Sequence, residues 1–279
     1  MNILITKSDG SRQSFQKEKV VDTCLRMGAT HEIAEHVADK VEQEIYDGIE
    51  SKRILSMIFR QLGRYHPVVR HHTDLRRALA LMEPKPDFEQ YVRLLLEVQG
   101  YQVTPNTIIR GKCVEHEIDA IAKKDSKTYI VEVKHHSNHH TLSGLDVDRI
   151  SRAIFEDITE GFELGMNSVK LERAMIICNA KLSDHAKRYA ECRRIEHIGW
   201  RYPQDRGIDR IIEEKKLYPI TYLKNLDSTS MRKLTSQGVL LLKQLLESKP
   251  TTLAQETGIS MKRIQVLQDQ SGMILSRES

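Results

Sequence analysis

Residues 1–83 begin with two short strand patterns and continue with helical ones. The alternating segment Ile3-Leu4-Ile5 is followed by a turn at Asp9-Gly10 and a second short strand that ends at Phe15. In four later segments, apolar residues recur every three or four positions, as on one face of a helix. These segments are Val20 to Leu25, Glu32 to Ile45, Ile54 to Leu62 and Thr73 to Met82. The pattern predicts a mostly helical N-terminal domain with a small β-hairpin.

Residues 87–224 alternate between helical and strand patterns. A helical pattern from Phe88 to Val98 ends at Gly100, a residue that commonly terminates helices. Three strand patterns follow, at residues 101–103, 114–121 and 129–133. After them come a long helix at 146–164, a buried strand at 174–178 and a second helix at 183–192. This order of elements predicts an α/β domain.

The last part of the chain has only helical patterns. Apolar residues follow helical spacing from Leu223 onward, and Thr252 to Ser260 joins two short helices through Gly258. Two prolines between Glu83 and Asp87 bar continuation of a helix and indicate a linker. With a second boundary near Lys224, we expect three modules, over residues 1–83, 87–224 and 225–279.

Composition is that of a folded protein outside the membrane. The 279 residues (32.2 kDa) have room for two or three domains, and 39% are hydrophobic and 29% charged. No apolar stretch approaches the roughly 18 residues of a membrane span, and no signal peptide is recognisable, so we expect a cytoplasmic protein without a membrane partner. The four widely spaced cysteines predict reduced, mostly buried thiols. A net charge of only +4 means that nucleic-acid binding would need a local basic surface.

Two predicted strands carry charged residues at alternate positions. Glu117 and Asp119 share one face of the first strand, and Glu132 and Lys134 share one face of the second. A hairpin can therefore gather three carboxylates and a lysine, unless this charged face is merely solvated. Neighbouring carboxylates repel one another and usually require a cation, and oxygen ligands select magnesium or manganese. Such a cation polarises a phosphodiester, while Lys134 can orient the attacking water and offset developing charge.

The spacing of these residues resembles that of a known nuclease motif. Asp119, twelve intervening residues and Glu132-Val133-Lys134 resemble the PD-(D/E)xK signature of restriction-endonuclease-like nucleases. Residues 87–224 as a whole resemble the Mrr-type branch of that superfamily. Ile118 stands where the name of the motif has proline, a substitution that these families commonly show.

The resemblance implies an α/β/α core and a metal-dependent endodeoxyribonuclease that hydrolyses phosphodiester bonds in DNA with Mg²⁺ or Mn²⁺. It implies Asp119 and Glu132 as metal ligands, joined by the carbonyl of Val133. It further implies Lys134 as the catalytic lysine and Glu89, on the preceding helix, as an additional site residue.

A histidine-rich segment, His135-His136-Ser137-Asn138-His139-His140, follows the motif directly. Imidazoles suit zinc or nickel, but a polar loop without fixed geometry is more typical of a solvated, partly cationic segment. We therefore expect this loop to contact DNA phosphates, with a transition-metal site as the alternative.

Residues 3–82 resemble the ATP-cone, a nucleotide-sensing domain known from ribonucleotide reductases and from a nucleotide-responsive transcriptional repressor. The segments that carry the resemblance are Ile5-Thr6-Lys7-Ser8-Asp9-Gly10, Phe15, Glu18-Lys19-Val20, Tyr46-Asp47-Gly48-Ile49, Ser51 and Leu75-Arg76-Arg77-Ala78-Leu79. The resemblance assigns residues to the phosphate side of ATP or dATP and one to its base or ribose: Lys7, Asp9, Gly10 and Lys19 for the former, and Ser51 for the latter.

The chemistry of these residues is compatible with that assignment. Lys7 and Lys19 supply point charges for a triphosphate, and a turn at Gly10 lets the backbone approach it closely. Ser8 stands where many ATP-cones have a basic residue, which predicts weaker nucleotide binding. No Walker motif is present, so we expect the nucleotide to act as an effector without hydrolysis. The alternative is a small helical domain used only for oligomer contacts.

The C-terminal hairpin around Gly258 resembles a helix-hairpin-helix unit, a motif that grips the DNA backbone through amides at helix N-termini. Lys262 and Arg263 follow this hairpin. Contact with another protein is the alternative role for this segment.

Together these features predict a homo-oligomeric DNA endonuclease regulated by ATP or dATP. One competing hypothesis is a nucleotide-responsive DNA-binding regulator without nuclease turnover, which the intact Asp119, Glu132 and Lys134 disfavour. Another is a reductase-associated regulator bound to protein, which would bind nucleotide but not DNA.

Overall fold

The computed structural model describes residues 3–7, 10–27, 29–65 and 67–276. Contacts within the chain divide it into two compact units. The first unit comprises Met1–Thr73, Leu223–Gln237 and Leu242–Ser279, and the second comprises Asp74–Tyr222 and Gly238–Leu241. The C-terminal helices thus share a compact unit with residues 1–73. The division into modules over residues 1–83, 87–224 and 225–279 stays a prediction.

The N-terminal part of the first unit contains a hairpin and three helices. Strand β1 (Leu4–Thr6) pairs antiparallel with β2 (Arg12–Ser14). The helices are α1 (Lys17–Arg26), α2 (His31–Glu44) and α3 (Ser51–Tyr65). Each buries an apolar face in a common core that includes Cys24, Val37 and Leu62. A mostly helical domain with a small hairpin, as predicted, is confirmed.

The second unit is built on a five-stranded mixed sheet. It begins with helices α4 (Leu75–Ala80) and α5 (Glu89–Val98), which are separated by a turn at Pro84–Phe88. The strands in chain order are β3 (Gln102–Arg110), β4 (Glu115–Lys124), β5 (Lys127–Lys134), β6 (Leu142–Ser143), β7 (Arg173–Cys178), β8 (Lys181–Leu182) and β9 (Glu196–Ile198). The remaining helices are α6 (Leu145–Glu163), α7 (Asp184–Arg193) and α8 (Ile208–Lys215).

The register places the carboxyl ends of the parallel strands β5, β7 and β9 at one end of the sheet. The order is β3-β4-β5-β7-β9, with β6 and β8 pairing separately. Strand β4 is antiparallel to both of its neighbours, β3 and β5, and β5, β7 and β9 are parallel to one another. Apolar residues of the sheet pack against α6 and α7, and the interior strand β7 is apolar at nearly every position, as expected for a covered parallel strand. The α/β prediction is confirmed.

The C-terminal helices of the first unit are α9 (Ser228–Thr235), α10 (Leu242–Glu247), α11 (Pro250–Thr257) and α12 (Met261–Leu275). Gly258, with φ of +64°, ends α11, and the Ser260 side chain accepts a hydrogen bond from Arg263 N and begins α12. The N–H of Lys224 donates to the carbonyl of His71 at 2.9 Å. This contact ties the C-terminal segment to the N-terminal domain.

Two other expectations concern individual features of the chain. Across the parts of the chain that the structure describes, no helix is long and apolar enough to cross a membrane. Cys24 and Cys178 are buried, but Cys113 and Cys192 are exposed, so the prediction of mostly buried thiols is wrong for half of them.

Candidate functional site

The charged residues of β4 and β5 lie where the pairing of these two strands ends. The antiparallel register runs from Lys124 opposite Lys127 to Ala120 opposite Val131. Asp119 and Glu132 are therefore the next residues on two adjacent strands. The N–H of Val133 donates a hydrogen bond of 2.8 Å to Asp119 Oδ2, which fixes this carboxylate against the end of β5.

A second carboxylate reaches this cluster from helix α5. Lys85 Nζ lies 2.9 Å from Glu89 Oε1 and 3.2 Å from Asp119 Oδ1. The side chains of Glu89 and Asp119 are only 7% and 11% exposed, whereas that of Lys85 is 64% exposed. Two nearly buried carboxylates that share one ammonium group indicate a position that requires positive charge.

The pKa of Glu132 depends on its burial and on the charged residues around it. Burial raises the pKa of Glu132 to about 7, and the Asp119 carboxylate contributes in the same direction. The ammonium groups of Lys134 and Lys85 lower this pKa, and Glu89 raises it. A further cation close to Glu132 would offset the cost of burial and stabilise the ionised form of this carboxylate.

The ligand set fits a hard divalent cation. Among residues 3–7, 10–27, 29–65 and 67–276, no three acidic, histidine or cysteine side chains are grouped so that they could hold a metal ion together. Mg²⁺ rarely needs such a cage, because it usually binds one or two carboxylates and keeps several waters. Asp119 and Glu132, which lie next to one another on adjacent strands, are two carboxylates that could hold such an ion.

Two of the charged residues lie toward solvent. Lys134 ends β5, is exposed, and is opposite Cys178 in the parallel register with β7. Glu117 is exposed and pairs with Ile108 of β3. The structure therefore completes the acidic cluster with Glu89, and Glu117 does not contribute the third carboxylate that the strand pattern suggested.

Lys85 belongs to this candidate site but was not predicted from the sequence. The segment Pro84-Lys85-Pro86 was interpreted only as a linker, although it forms the turn that leads into α5. The spacing of four residues between Lys85 and Glu89 was a signal, because oppositely charged residues at that spacing often pair.

The histidine-rich segment after β5, which we expected to be a solvated, partly cationic loop, is exposed only at Ser137, Asn138 and His140. His135 Nε2 lies 3.0 Å from the carbonyl of Leu79. The side chain of Asn179 accepts a bond from His136 N at 2.8 Å and donates one to His136 O at 2.9 Å. Burial lowers the pKa of His135, His136 and His139, which favours their neutral forms. The charge basis for the predicted phosphate contact is thereby weakened.

A second polar cluster lies inside the same unit, near the carboxyl end of β7. His197 Nδ1 lies 2.9 Å from Asp148 Oδ1, and His197 Nε2 lies 3.7 Å from Cys178 Sγ. All three side chains are buried. Burial by itself lowers the pKa of His197, but the hydrogen bonds with Asp148 and Cys178 outweigh it and raise this pKa to about 9. The cluster is thus an internal ion pair that joins α6 to β9 across β7.

The residues assigned to the nucleotide lie around the N-terminal hairpin. Lys7 follows β1 and is exposed, and its carbonyl accepts a 3.0 Å hydrogen bond from Gly10 N, where φ is +80°. Lys19 is exposed in the first turn of α1, and Ser51 is the first residue of α3. Asp9 lies outside the described residues.

The chain before Ser51 packs against the hairpin strand before Lys7. Thr6 N donates to Ile49 O at 2.9 Å, and Thr6 Oγ1 donates to Gly48 O at 3.1 Å. Positions of the predicted phosphate side and of the predicted base or ribose side are therefore neighbours in the fold.

In the C-terminal hairpin, Lys262 is exposed in the first turn of α12. The guanidinium group of Arg263 donates to the carbonyl of Asn225. Only Lys262 of this predicted basic pair therefore lacks such an internal contact in the described chain, and the prediction of DNA contact by the hairpin rests on it and on the amides that begin α12.

Three family models match consecutive parts of the chain. The ATP cone domain model matches residues 3–78, and the restriction endonuclease model of the Mrr catalytic type matches residues 80–200. A model described as AF1548-like, C-terminal, matches residues 218–275. These matches define a nuclease-type domain joined to a nucleotide-binding regulatory domain.

Relatives occur in an archaeon. An uncharacterized protein of Archaeoglobus fulgidus is 35% identical over 170 residues, which cover 61% of this chain and 91% of that protein. Another from the same organism is 44% identical over 39 residues, 14% of this chain and 83% of that protein. The crystal structure of the protein of unknown function AF1548 is 30% identical, with a TM-score of 0.57, and covers 68% of this chain and 97% of its own. The chain belongs to the family of these proteins, and it combines an ATP-cone with a restriction-endonuclease-like domain.

Proposed function

We propose that this protein is an endonuclease that hydrolyses phosphodiester bonds of DNA with Mg²⁺ or Mn²⁺ and is regulated by ATP or dATP. The observation that carries the proposal is the pair of nearly buried carboxylates of Asp119 and Glu89, which share the ammonium group of Lys85 beside Glu132. Such a cluster is costly unless it binds a cation, and it lies in a restriction-endonuclease-like domain.

Asp119, Glu132 and the carbonyl of Val133 would hold the metal ion, with Glu89 beside them. When bound, a divalent cation polarises a phosphodiester and lowers the pKa of a water. The protein prepares this site, because the N–H of Val133 holds Asp119 Oδ2 and leaves Oδ1 directed toward the position that Lys85 Nζ occupies.

Lys134 would contact the substrate or the attacking water directly. It is exposed at the end of β5, one residue beyond Val133. From there its ammonium group can donate a hydrogen bond to the attacking water or to a phosphate oxygen. This contact strengthens as negative charge develops in the transition state, so that it lowers the barrier.

The decisive experiment compares nearly isosteric carboxylate variants. We expect Asp119→Asn and Glu132→Gln to reduce Mg²⁺-dependent nicking of a plasmid by at least about 1,000-fold, because each loses a charged metal ligand. Glu117→Gln is the matched control, since this carboxylate is exposed on the same strand as Asp119. Thermal melting should show that each variant is folded, and each should still bind DNA in EDTA. Nicking at the wild-type rate by both Asp119→Asn and Glu132→Gln would refute the assignment.

For regulation, we infer that ATP or dATP binds the ATP-cone through Lys7, Asp9, Gly10, Lys19 and Ser51. A ligand can alter activity only by binding two states of the protein with different affinity. We propose that these states differ in how copies of the chain associate, and that the nucleotide is not hydrolysed.

The test measures sedimentation and plasmid nicking across a nucleotide titration, with compensation for the magnesium that the nucleotide chelates. Lys7→Ala combined with Lys19→Ala removes charge-assisted contacts to the triphosphate and should abolish both responses. Lys40→Ala is a control, because Lys40 is also exposed but lies on α2. If the double variant responds to nucleotide as the wild type does, these lysines do not form the switch.

A further inference from the structure

A cavity of about 310 Å³ lies at the end of the sheet where the parallel strands begin, away from the carboxylates of Asp119 and Glu132. Its lining includes Lys127, the first residue of β5, and Arg173, the first residue of β7. It also includes Arg194 and Ile195, which directly precede β9. The cavity is thus at the amino ends of three parallel strands. Because a strand rises about 3.3 Å per residue, Lys127 lies roughly 23 Å along β5 from its last residue, Lys134.

The lining of this cavity is strongly basic. Its charged members are Lys127, Arg152, Arg173, Arg193, Arg194 and Glu172. Five cations against one carboxylate give this small surface a formal charge of +4, which equals the net charge of the entire chain. The lining therefore carries much more positive charge than a surface of its size would carry if the small net charge of the chain were spread evenly.

Neighbouring acidic residues neutralise only part of this charge. Arg152 pairs with Glu156 at 2.7 Å, and Arg173 lies 3.6 Å from Glu196. The lining carboxylate of Glu172 accepts a hydrogen bond from a backbone N–H at the start of β5. Within the described ranges, no carboxylate lies within ion-pair distance of the three other cations, Lys127, Arg193 and Arg194.

Aromatic rings help to hold two of the arginines. The guanidinium of Arg152 lies over the ring of Phe155, 5.1 Å from its centroid, and Phe155 itself lines the cavity. The guanidinium of Arg193 lies 5.8 Å from the ring centroid of Tyr189. Stacked guanidinium groups lose little freedom when they bind, and their planar donors match phosphate oxygens. The cavity is therefore preorganised for an oxyanion.

We propose that this cavity binds a phosphate group of a nucleotide or of a nucleic acid. Converging cations repel one another, and an entering phosphate removes that repulsion. The volume is at the small end of the ~300 to 1,000 Å³ typical of ligand sites, which suits one nucleotide or a single phosphate of a nucleic-acid backbone. The site uses none of the residues assigned to metal binding or to the ATP-cone, so it stands or falls independently of the proposed function.

The test neutralises two cations that have no acidic partner. Lys127→Gln combined with Arg193→Gln keeps the length of both exposed side chains approximately and should not disturb folding. Arg188→Gln combined with Lys215→Gln is the matched control, because it removes the same charge from two exposed positions outside the cavity. Arg194→Asn provides a second variant, since asparagine tolerates the φ of +55° at this position. Thermal melting verifies that each variant folds.

Three probes distinguish the sources of phosphate: inorganic pyrophosphate, dAMP and a 20-base-pair DNA duplex, all titrated in EDTA. We expect the cavity variants to weaken at least one probe by about tenfold or more, because each charge-assisted contact is worth roughly that factor. Weakening of pyrophosphate or dAMP indicates a free phosphate ligand. Weakening of the duplex, with a fall of about 0.9 per lost contact in the slope against salt, indicates the DNA backbone. If the cavity variants bind all three probes as tightly as the control variant does, the proposal is overturned.

Discussion

The position of Lys85 leads to a prediction about metal affinity, which can be measured without a cleavage assay. Its ammonium group bridges Glu89 and Asp119, and Asp119 is a proposed metal ligand. The Glu89 and Asp119 carboxylates hold the pKa of Lys85 above its usual value, so the side chain is charged in the metal-free protein. A divalent cation must therefore displace this ammonium group or bind beside it. Lys85→Gln removes the competing charge and should increase metal affinity.

The size of the effect follows from the two ion pairs. Because Lys85 is 64% exposed, solvent screens its contacts, and values of ~0.2 to 1 kcal/mol for each exposed pair apply. The two carboxylates are nearly buried, which favours the upper part of that range. Loss of both pairs then makes metal binding more favourable by about 1 to 2 kcal/mol. At about 1.4 kcal/mol per factor of ten, Lys85→Gln should bind Mn²⁺ roughly 5- to 30-fold more tightly.

Titration of Mn²⁺ by calorimetry or electron paramagnetic resonance, without DNA, measures this affinity directly. Lys112→Gln is the matched control, because Lys112 forms an exposed ion pair of 2.8 Å with Glu160 outside the site. Asp119→Asn should remove the binding and so identify the site that is measured. Equal or weaker Mn²⁺ binding by Lys85→Gln than by the wild type would refute the idea that Lys85 competes for the metal position.

Lys134→Ala should slow plasmid nicking by about two to three orders of magnitude while Mn²⁺ still binds, and an unchanged rate would make this lysine only a surface charge. The His197–Asp148 ion pair should stabilise the fold fully below pH 6.5 and lose about 3 kcal/mol as pH rises to 9, because folding raises the pKa of His197 from 6.5 to about 9. Urea unfolding from pH 6 to 10 measures this loss; His197→Gln should lack it, and parallel wild-type and variant profiles would contradict the assignment. Lys7→Ala combined with Lys19→Ala should leave the nucleotide-free nicking rate at the wild-type level, and a lower rate without nucleotide would mean that these lysines serve the fold.

The elements that position the site were predictable because their signals are local. The apolar spacing of α5 and β7 depends only on neighbouring residues, and the structure places both elements close to their predicted bounds. Asp119 and Glu132 could be placed together because side chains alternate along strands and a short turn joins the two strands. Contacts set by tertiary structure were not predictable in this way. The bond from Lys224 to His71, which joins the C-terminal segment to the N-terminal domain, leaves no periodic trace in the sequence.

Composition alone predicted the charge of a segment poorly where burial determines whether its side chains are ionised. Four histidines in a polar segment suggested a cationic loop, yet Asn179 binds the backbone of His136, and burial favours the neutral imidazoles. The sequence contains no local sign of that contact, because Asn179 follows β7, 43 residues away. For Lys85 the sequence suggested too little, because the residue was assigned to a linker but forms ion pairs with Glu89 and Asp119.

The same reasoning applies to the net charge, which suggested weak attraction to nucleic acid. A total of +4 conceals an uneven distribution, because the lining of one cavity has five cations and only one carboxylate. Attraction to a phosphate depends on the charges within about 10 Å of it, since salt screens those farther away. The affinity of this cavity for phosphate should therefore reside in its own arginines and lysines, and neutralising distant surface cations should change it little. The relevant quantity is how many unpaired cations share one surface, and only the fold determines it.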